Sequence, residues 1–164
     1  MTAGGETCNA PTVLSGPGAV NSTTMGLAND YHVESPLGGC GYNDTGSSAP
    51  DVVFQISVPS NNRFTARTSG SWDMVLNLIA APASNCGTGT PTTGMMCVDF
   101  SDGVGTVDEV VTYVNTSGSA QTLFVMLDGW ESIDMRAFTL TTTLDPIPPG
   151  DTCNDPVVVT GNTN

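Results

Sequence analysis

Residues 51–80 read DVVFQISVPSNNRFTARTSGSWDMVLNLIA, and this stretch decides the fold class. Val52, Phe54, Ile56 and Val58 fall on one side of an extended Asp51–Pro59 segment, with Val53, Gln55 and Ser57 on the other. Over Asn62–Ser69, Phe64, Ala66 and Thr68 alternate in the same way with Arg63, Thr65 and Arg67. A period of two marks a strand, because successive side chains of a pleated chain point to opposite faces. Met74–Ala80 is apolar on both faces apart from Asn77, as expected of a strand covered from both sides. The short Pro59-Ser60-Asn61 connection predicts a hairpin between the first two segments.

Working outward, Glu109–Asn115, Gln121–Asp128 and Met135–Leu144 supply three more extended segments, and Thr12–Ser15 and Met95–Val98 are shorter candidates. The total of about eight strands predicts an all-β chain, a jelly-roll-like antiparallel β-sandwich. The 19 glycines and 11 prolines are consistent with many turns. No segment carries a helical period.

Charge excludes several functions. Against 16 acidic residues stand 3 arginines and no lysine, for a formal net charge of −13. Nothing here could neutralise phosphates, so nucleic acid and anionic membranes are not expected partners. The absence of lysine removes Schiff-base chemistry and the phosphate-loop lysine. No run approaches the ~20 apolar residues needed to cross a bilayer, so no membrane insertion is expected. Five cysteines without a Cys-x-x-Cys arrangement point to an oxidising compartment, and hence to an extracellular or cell-surface location. Met1–Gly5 has neither a basic region nor an apolar run, which leads us to expect a processed or excised piece of an exported protein.

The two ends of the chain resemble each other. Residues 5–14 read GETCNAPTVL and residues 150–159 read GDTCNDPVVV, sharing Gly, Thr, Cys, Asn, Pro and Val in register. The expected organisation is therefore a sandwich domain over residues 1–144 and a stiff Pro-rich linker over 145–149. Residues 150–164 would be the head strand of a following repeat, or a strand donated to a neighbouring subunit. Val157, Val158 and Val159 cannot bury themselves within so short a segment, and an unpaired strand edge invites addition to another sheet. Copies joined head to tail in this way would repeat without closing, giving a filament.

Cys86 and Cys97 enclose the Gly/Thr/Pro-rich loop 87–96, where a bridge would contribute about 2–3 kcal/mol. Cys8 with Cys40 is then the remaining pair within the domain. Cys153, the counterpart of Cys8, is left for an intersubunit bond to a Cys40 or Cys8 of the next copy.

His32 is the only histidine, and no GxSxG serine accompanies it, so no catalytic residue is expected. Oxygen-ligand metal binding suits the composition better. Asp73, Asp99, Asp102 and Asp128 lie at turns or strand ends that a sandwich could gather at one pole to hold calcium. The same residues also read as ordinary Asp-Gly turns on an acidic surface. Trp130, in Asp128-Gly129-Trp130-Glu131, is a candidate to stack on a glycan or an extracellular protein, whereas Trp72 at a strand start fits the core better. Asn21, Asn43 and Asn115 stand in glycosylation sequons.

The order of landmarks resembles a family. These are GETCNAP at 5–11, Asn29-Asp30-Tyr31, Ala49-Pro50-Asp51-Val52-Val53-Phe54 and Trp72-Asp73-Met74-Val75-Leu76. The Cys86 to Cys97 loop, Leu123–Gly129 and Phe138-Thr139-Leu140 complete the series. Together they look like the pre-peptidase C-terminal type of bacterial extracellular domain, over most of residues 5–144. The resemblance implies a non-catalytic β-sandwich attached to secreted proteases and large cell-surface proteins, often in several copies. The expected function is a structural or adhesion module that assembles into a tandem array or filament, with copies of itself or an extracellular protein or glycan as partner. The alternative is an accessory calcium- or carbohydrate-binding module of a secreted enzyme.

Overall fold

The structure, a computed structural model, describes residues 5–32, 40, 49–89, 92–148 and 150–151. Cys153, Val157, Val158, Val159 and the Asn43 sequon lie outside the described residues.

The strands, in chain order, are β1 (Thr12–Val13), β2 (Gly18–Thr23), β3 (Val52–Val58), β4 (Asn62–Ser69), β5 (Met74–Ala80), β6 (Cys86–Thr88), β7 (Thr93–Met95), β8 (Cys97–Ser101), β9 (Val110–Asn115), β10 (Gln121–Gly129) and β11 (Ala137–Pro146). One 3₁₀ turn, Ala83–Asn85, precedes β6. A five-stranded sheet has the order β1-β3-β10-β5-β8, a four-stranded sheet the order β2-β11-β4-β9, and β6 pairs with β7 alone. Every pairing of these strands is antiparallel except the two-residue β1–β3 contact.

The two larger sheets enclose one apolar layer. Phe54, Ile56, Met74, Leu76, Leu78, Leu123, Val125 and Leu127 from the five-stranded sheet meet Phe64, Ala66, Val111, Phe138 and Leu140 from the four-stranded one. Alternation chooses these residues, since each strand sends every second side chain inward. Phe138 is set edge-on to Phe54 at 6.2 Å and to Trp72 at 6.5 Å, closing the layer with a favourable aromatic geometry.

The five-stranded sheet is covered on its outer face as well. Val53, Ile79, Phe124 and Met126, in the opposite phase of the alternation, pack with Cys8, Tyr31, Cys40, Cys86 and Met95. A third layer is thus stacked on this sheet, which is why β3, β5 and β10 are largely buried on both faces.

Several sequence expectations are corrected. β3 and β4 do not form a hairpin. Pro59-Ser60-Asn61 carries the chain from one sheet to the other, with Asn61 in the left-handed region at φ 56°. The Met95–Val98 segment is not one strand, because β7 ends at Met95 and β8 begins at Cys97. β2 escapes a pattern search because only Ser22 of its 6 residues is buried. Asp145 and Pro146, expected in a linker, instead pair with Arg63 and Asn62, and the Ile147 amide donates to the Asn61 carbonyl at 2.9 Å.

The cysteine pairing also differs. Cys8 is bonded to Cys86 and Cys40 to Cys97, across 78 and 57 residues of sequence. The loop between Cys86 and Cys97 is already closed by the β6–β7 ladder and by the Met96 amide donating to the Asn85 carbonyl at 2.8 Å. Cys97, on β8, instead fastens Cys40 of the covering layer to the sheet, and Cys86, on β6, joins the amino-terminal segment to the β6–β7 hairpin within that layer. In the chain-entropy treatment, loops of these lengths contribute about 4–5 kcal/mol each, more than the short loop could.

Candidate functional site

Two regions combine unusual chemistry with defined geometry: the seat of the amino-terminal segment on β3, and a set of acidic groups at the same end of the sandwich.

The amino-terminal segment lies along the edge of β3 left open by β10. The Gly5 amide donates to the Val53 carbonyl at 3.2 Å, and the Val53 amide donates back to Gly5 at 2.8 Å. Gly5 is obligatory here, because a Cβ would lie 2.0 Å from the Ala10 carbonyl oxygen. The Thr7–Ala10 turn follows, closed by the Ala10 amide on the Thr7 carbonyl at 2.9 Å. Cys8 is buried at its bond to Cys86, and its amide donates to the Tyr31 hydroxyl at 3.0 Å. Thr12 and Val13 then run parallel to Phe54 and Gln55, the Leu14 amide donates to the Gln55 carbonyl at 2.8 Å, and Leu14 packs on the core. The segment is thus held on β3 by the Gly5–Val53 pair, the two-residue β1 contact and the Leu14 amide, and on β6 by the disulfide.

The acidic groups gather where β3 begins and β10 ends. Extending the β3–β10 register beyond Val52↔Leu127 sets Asp51 opposite Asp128 on the outer face of the sheet. Both are buried. Asp51 Oδ2 accepts from the Asp30 and Tyr31 amides, each at 2.8 Å, and Asp128 Oδ1 accepts from the Gly129 amide at 2.7 Å. Asp51 Oδ1 and Asp128 Oδ2 are buried without a hydrogen-bond partner among the described residues. Burial pushes the Asp51 carboxyl up to about 7, with Asp30 and Glu6 adding to the rise and the two amides opposing it. Burial, then the nearby Asp51, holds Asp128 well above the usual carboxylate range. Both carboxyls are therefore pushed toward the protonated form by the same enclosure.

Of the four aspartates expected to share a metal, the structure brings two near one another. Asp102 is pushed up to about 6 by burial, then by Glu109 and Asp73. Asp73 is raised by burial and by Asp134, against a hydrogen bond from the Gly105 amide at 3.1 Å. Asp128 sits apart with Asp51. Asp99 lies opposite Leu78, and its Oδ2 accepts from the Thr112 amide at 2.7 Å, tying the edge of β9 to β8. Among the described residues, no three His, Cys, Asp or Glu side chains come together as a metal-binding group. Glu109, which no sequence motif singles out, is buried and accepts from the Ser101 hydroxyl and the Gly103 amide. It holds a turn.

Trp72 is in the core, with its Nε1 donating to the Ala137 carbonyl at 3.1 Å. Trp130 is half-buried at the acidic pole, and its amide donates to the Asp73 carbonyl at 3.2 Å. The His32 backbone bonds to Thr92 in both directions, joining the amino-terminal segment to the β6–β7 hairpin. Asn115, in a sequon, is buried and donates through Nδ2 to the carbonyls of Val58, Pro59 and Ser119, so it is no acceptor for a glycan in the folded chain. Asn21 is exposed on β2, and its Oδ1 accepts from the Thr139 hydroxyl at 2.8 Å. No helix among the described residues is long and apolar enough to cross a membrane.

No protein-family model matches the sequence, and no curated protein matches it. Among solved structures, the chain is similar to the pre-peptidase C-terminal domain of a collagenase from Bacillus anthracis, with 9% identity and a TM-score of 0.46, covering 80% of this chain and 93% of that one. It is also similar to a periplasmic inhibitor of g-type lysozyme from Aeromonas hydrophila, with 9% identity and a TM-score of 0.37, covering 70% and 99%. At this distance the likenesses concern the outline of the chain's path alone.

Proposed function

We propose that this chain is a non-catalytic extracellular module that assembles with copies of itself through its carboxyl-terminal segment. The observation that carries the reading is a duplication with one seat already filled. Gly5–Leu14 is docked on β3, and a near copy of the same stretch follows a sandwich that is already complete. A second head of this composition has apolar residues to bury, and the seat it matches in its own domain is taken. Two disulfides support an oxidising compartment. The enclosure of the Asp51–Asp128 pair beneath a covering layer supports a structural role in place of catalysis.

Sedimentation velocity over about a hundredfold range of concentration tests the proposal, comparing the full chain with one ending at Pro148. The full chain should form species that grow with concentration, visible as short strings by negative-stain microscopy, while the shortened chain stays monomeric. Equal, monomeric behaviour of both would remove the proposal.

A further inference from the structure

Resting on the assembly reading above, we infer that the acceptor for residues 150–159 is the β3 edge of a second copy. There they replace that copy's Gly5–Leu14, and Cys153 becomes bonded to Cys86. The features that seat the first head recur at the matching positions of the second. Gly150 matches Gly5, where no side chain fits. Cys153 matches Cys8, whose partner in this fold is Cys86 and neither Cys40 nor another Cys8. Pro156 matches Pro11, and Val159 matches Leu14, which packs on the core.

The geometry separates a neighbour's segment from the chain's own. Ile147 is hydrogen-bonded to Asn61, at the pole where β3 ends. Gly5 is paired with Val53, at the pole where β3 begins. The strand from Val53 to Val58 spans about 17 Å. The chain from Ile147 to Gly150 reaches at most about 11 Å. Gly150 therefore cannot take the place of Gly5 in its own domain without tearing the end of β11 from β4. Asp151 is in addition bonded to Arg63 at 2.8 Å, at that same far pole. Heads enter at one pole and tails leave at the other, which is the arrangement that lets copies follow one another in line.

The covalent step needs no oxidant. The Cys153 thiolate attacks Sγ of Cys86 in the neighbour, the Cys86–Cys8 bond breaks, and Cys8 leaves as a thiolate that takes up the proton Cys153 gave up. One disulfide is broken and one is made. Cys8 and Cys86 are buried, so exchange follows loosening of the first head, whose strand pairing with β3 is two residues long.

The test uses a mixture of ¹⁴N- and ¹⁵N-labelled full chain incubated at pH 8 with a trace of reduced glutathione, read by non-reducing electrophoresis and by mapping the disulfide-linked peptides. A ladder is expected, with Cys153–Cys86 peptides of mixed label. Cys153→Ser should abolish the ladder, and Gly150→Val should weaken it about fivefold while leaving every cysteine in place. Cys8→Ser, refolded with a reduced and oxidised glutathione pair, should give a stronger ladder because Cys86 is vacated in advance. Should Cys8→Ser fail to fold, the wild-type mapping decides alone. Cys153 bonded to Cys40, Cys97 or Cys153, or to Cys86 of its own chain, would overturn the inference. Polymers that persist unchanged in Cys153→Ser and Gly150→Val would also overturn it while leaving assembly standing, whereas monomers under every condition would remove both.

Discussion

Replacing Asp51 with Asn should make the domain markedly more stable in mild alkali and leave it nearly unchanged in acid. In the folded chain the Asp51 carboxyl is pushed up to about 7 from an ordinary value of 3.8. A carboxyl raised on folding binds its proton more tightly in the folded state. Its contribution is therefore fully present below about pH 4 and is lost as pH rises to about 7, after which the deficit is constant. A rise of about three pH units, at about 1.4 kcal/mol each, gives a deficit of about 4 kcal/mol above neutrality. Asparagine removes it without removing the contacts. Its oxygen can accept the Asp30 and Tyr31 amides as Oδ2 does now, and its amide fills the position of the unpartnered Oδ1. At about 2–4 °C per kcal/mol for a chain of this size, the variant should melt roughly 10 °C above wild type at pH 8 and within about two degrees of it at pH 4. Circular dichroism melts from pH 4 to 9, with disulfides intact and EDTA present, provide the measurement. Parallel pH profiles for the two proteins, or a variant less stable than wild type at pH 8, would refute this account.

Asn115→Ala should cost about 2–3 kcal/mol in urea unfolding, because the carbonyls of Val58, Pro59 and Ser119 lose a shared donor where the chain crosses between sheets. Gly5→Val should loosen the amino-terminal segment on β3 while the Cys8–Cys86 bond still tethers it and the sandwich stays folded, since its Cβ would meet the Ala10 carbonyl. Hydrogen exchange should then speed up at Val53 and Leu14 and stay slow at Val125, in the middle of β10.

Much of the sandwich was legible in the sequence because its strands are marked by alternation or by unbroken apolar runs. β4 and β5 have the bounds expected of them, and β3 and β10 differ by a residue at one end or both. What escaped depends on layers. Whether a short turn joins partners in one sheet or crosses to the other is set by the packing of both sheets, so Pro59-Ser60-Asn61 reads as a hairpin and is a crossing. The third layer has no period of its own. Its cysteines are paired by where the chain lies over the sheet, at sequence separations that favour no pairing in advance. Asp73, Asp102 and Asp128 do reach one pole, but the phase of the strand turns Asp128 onto the outer face with Asp51. That pair could have been found in the sequence, since both aspartates lie next to buried strand residues that pair antiparallel, in the phase shared by Val53 and Met126.

The course of β11 determines how the domain answers a mechanical pull. This strand of 10 residues is hydrogen-bonded to β2 on one side and β4 on the other, and it ends at the pole opposite Gly5. Tension applied between the two poles therefore runs along the strand, so its backbone bonds are strained together and must fail together, where a peeling strand would lose them one after another. At the other end, tension arriving through the amino-terminal segment reaches Cys8 and passes across the disulfide to Cys86, bypassing the two-residue β1 contact. The weakest backbone pairing in the sheet is thereby sheltered from force, and the domain resists extension as a strut whose give lies in shear.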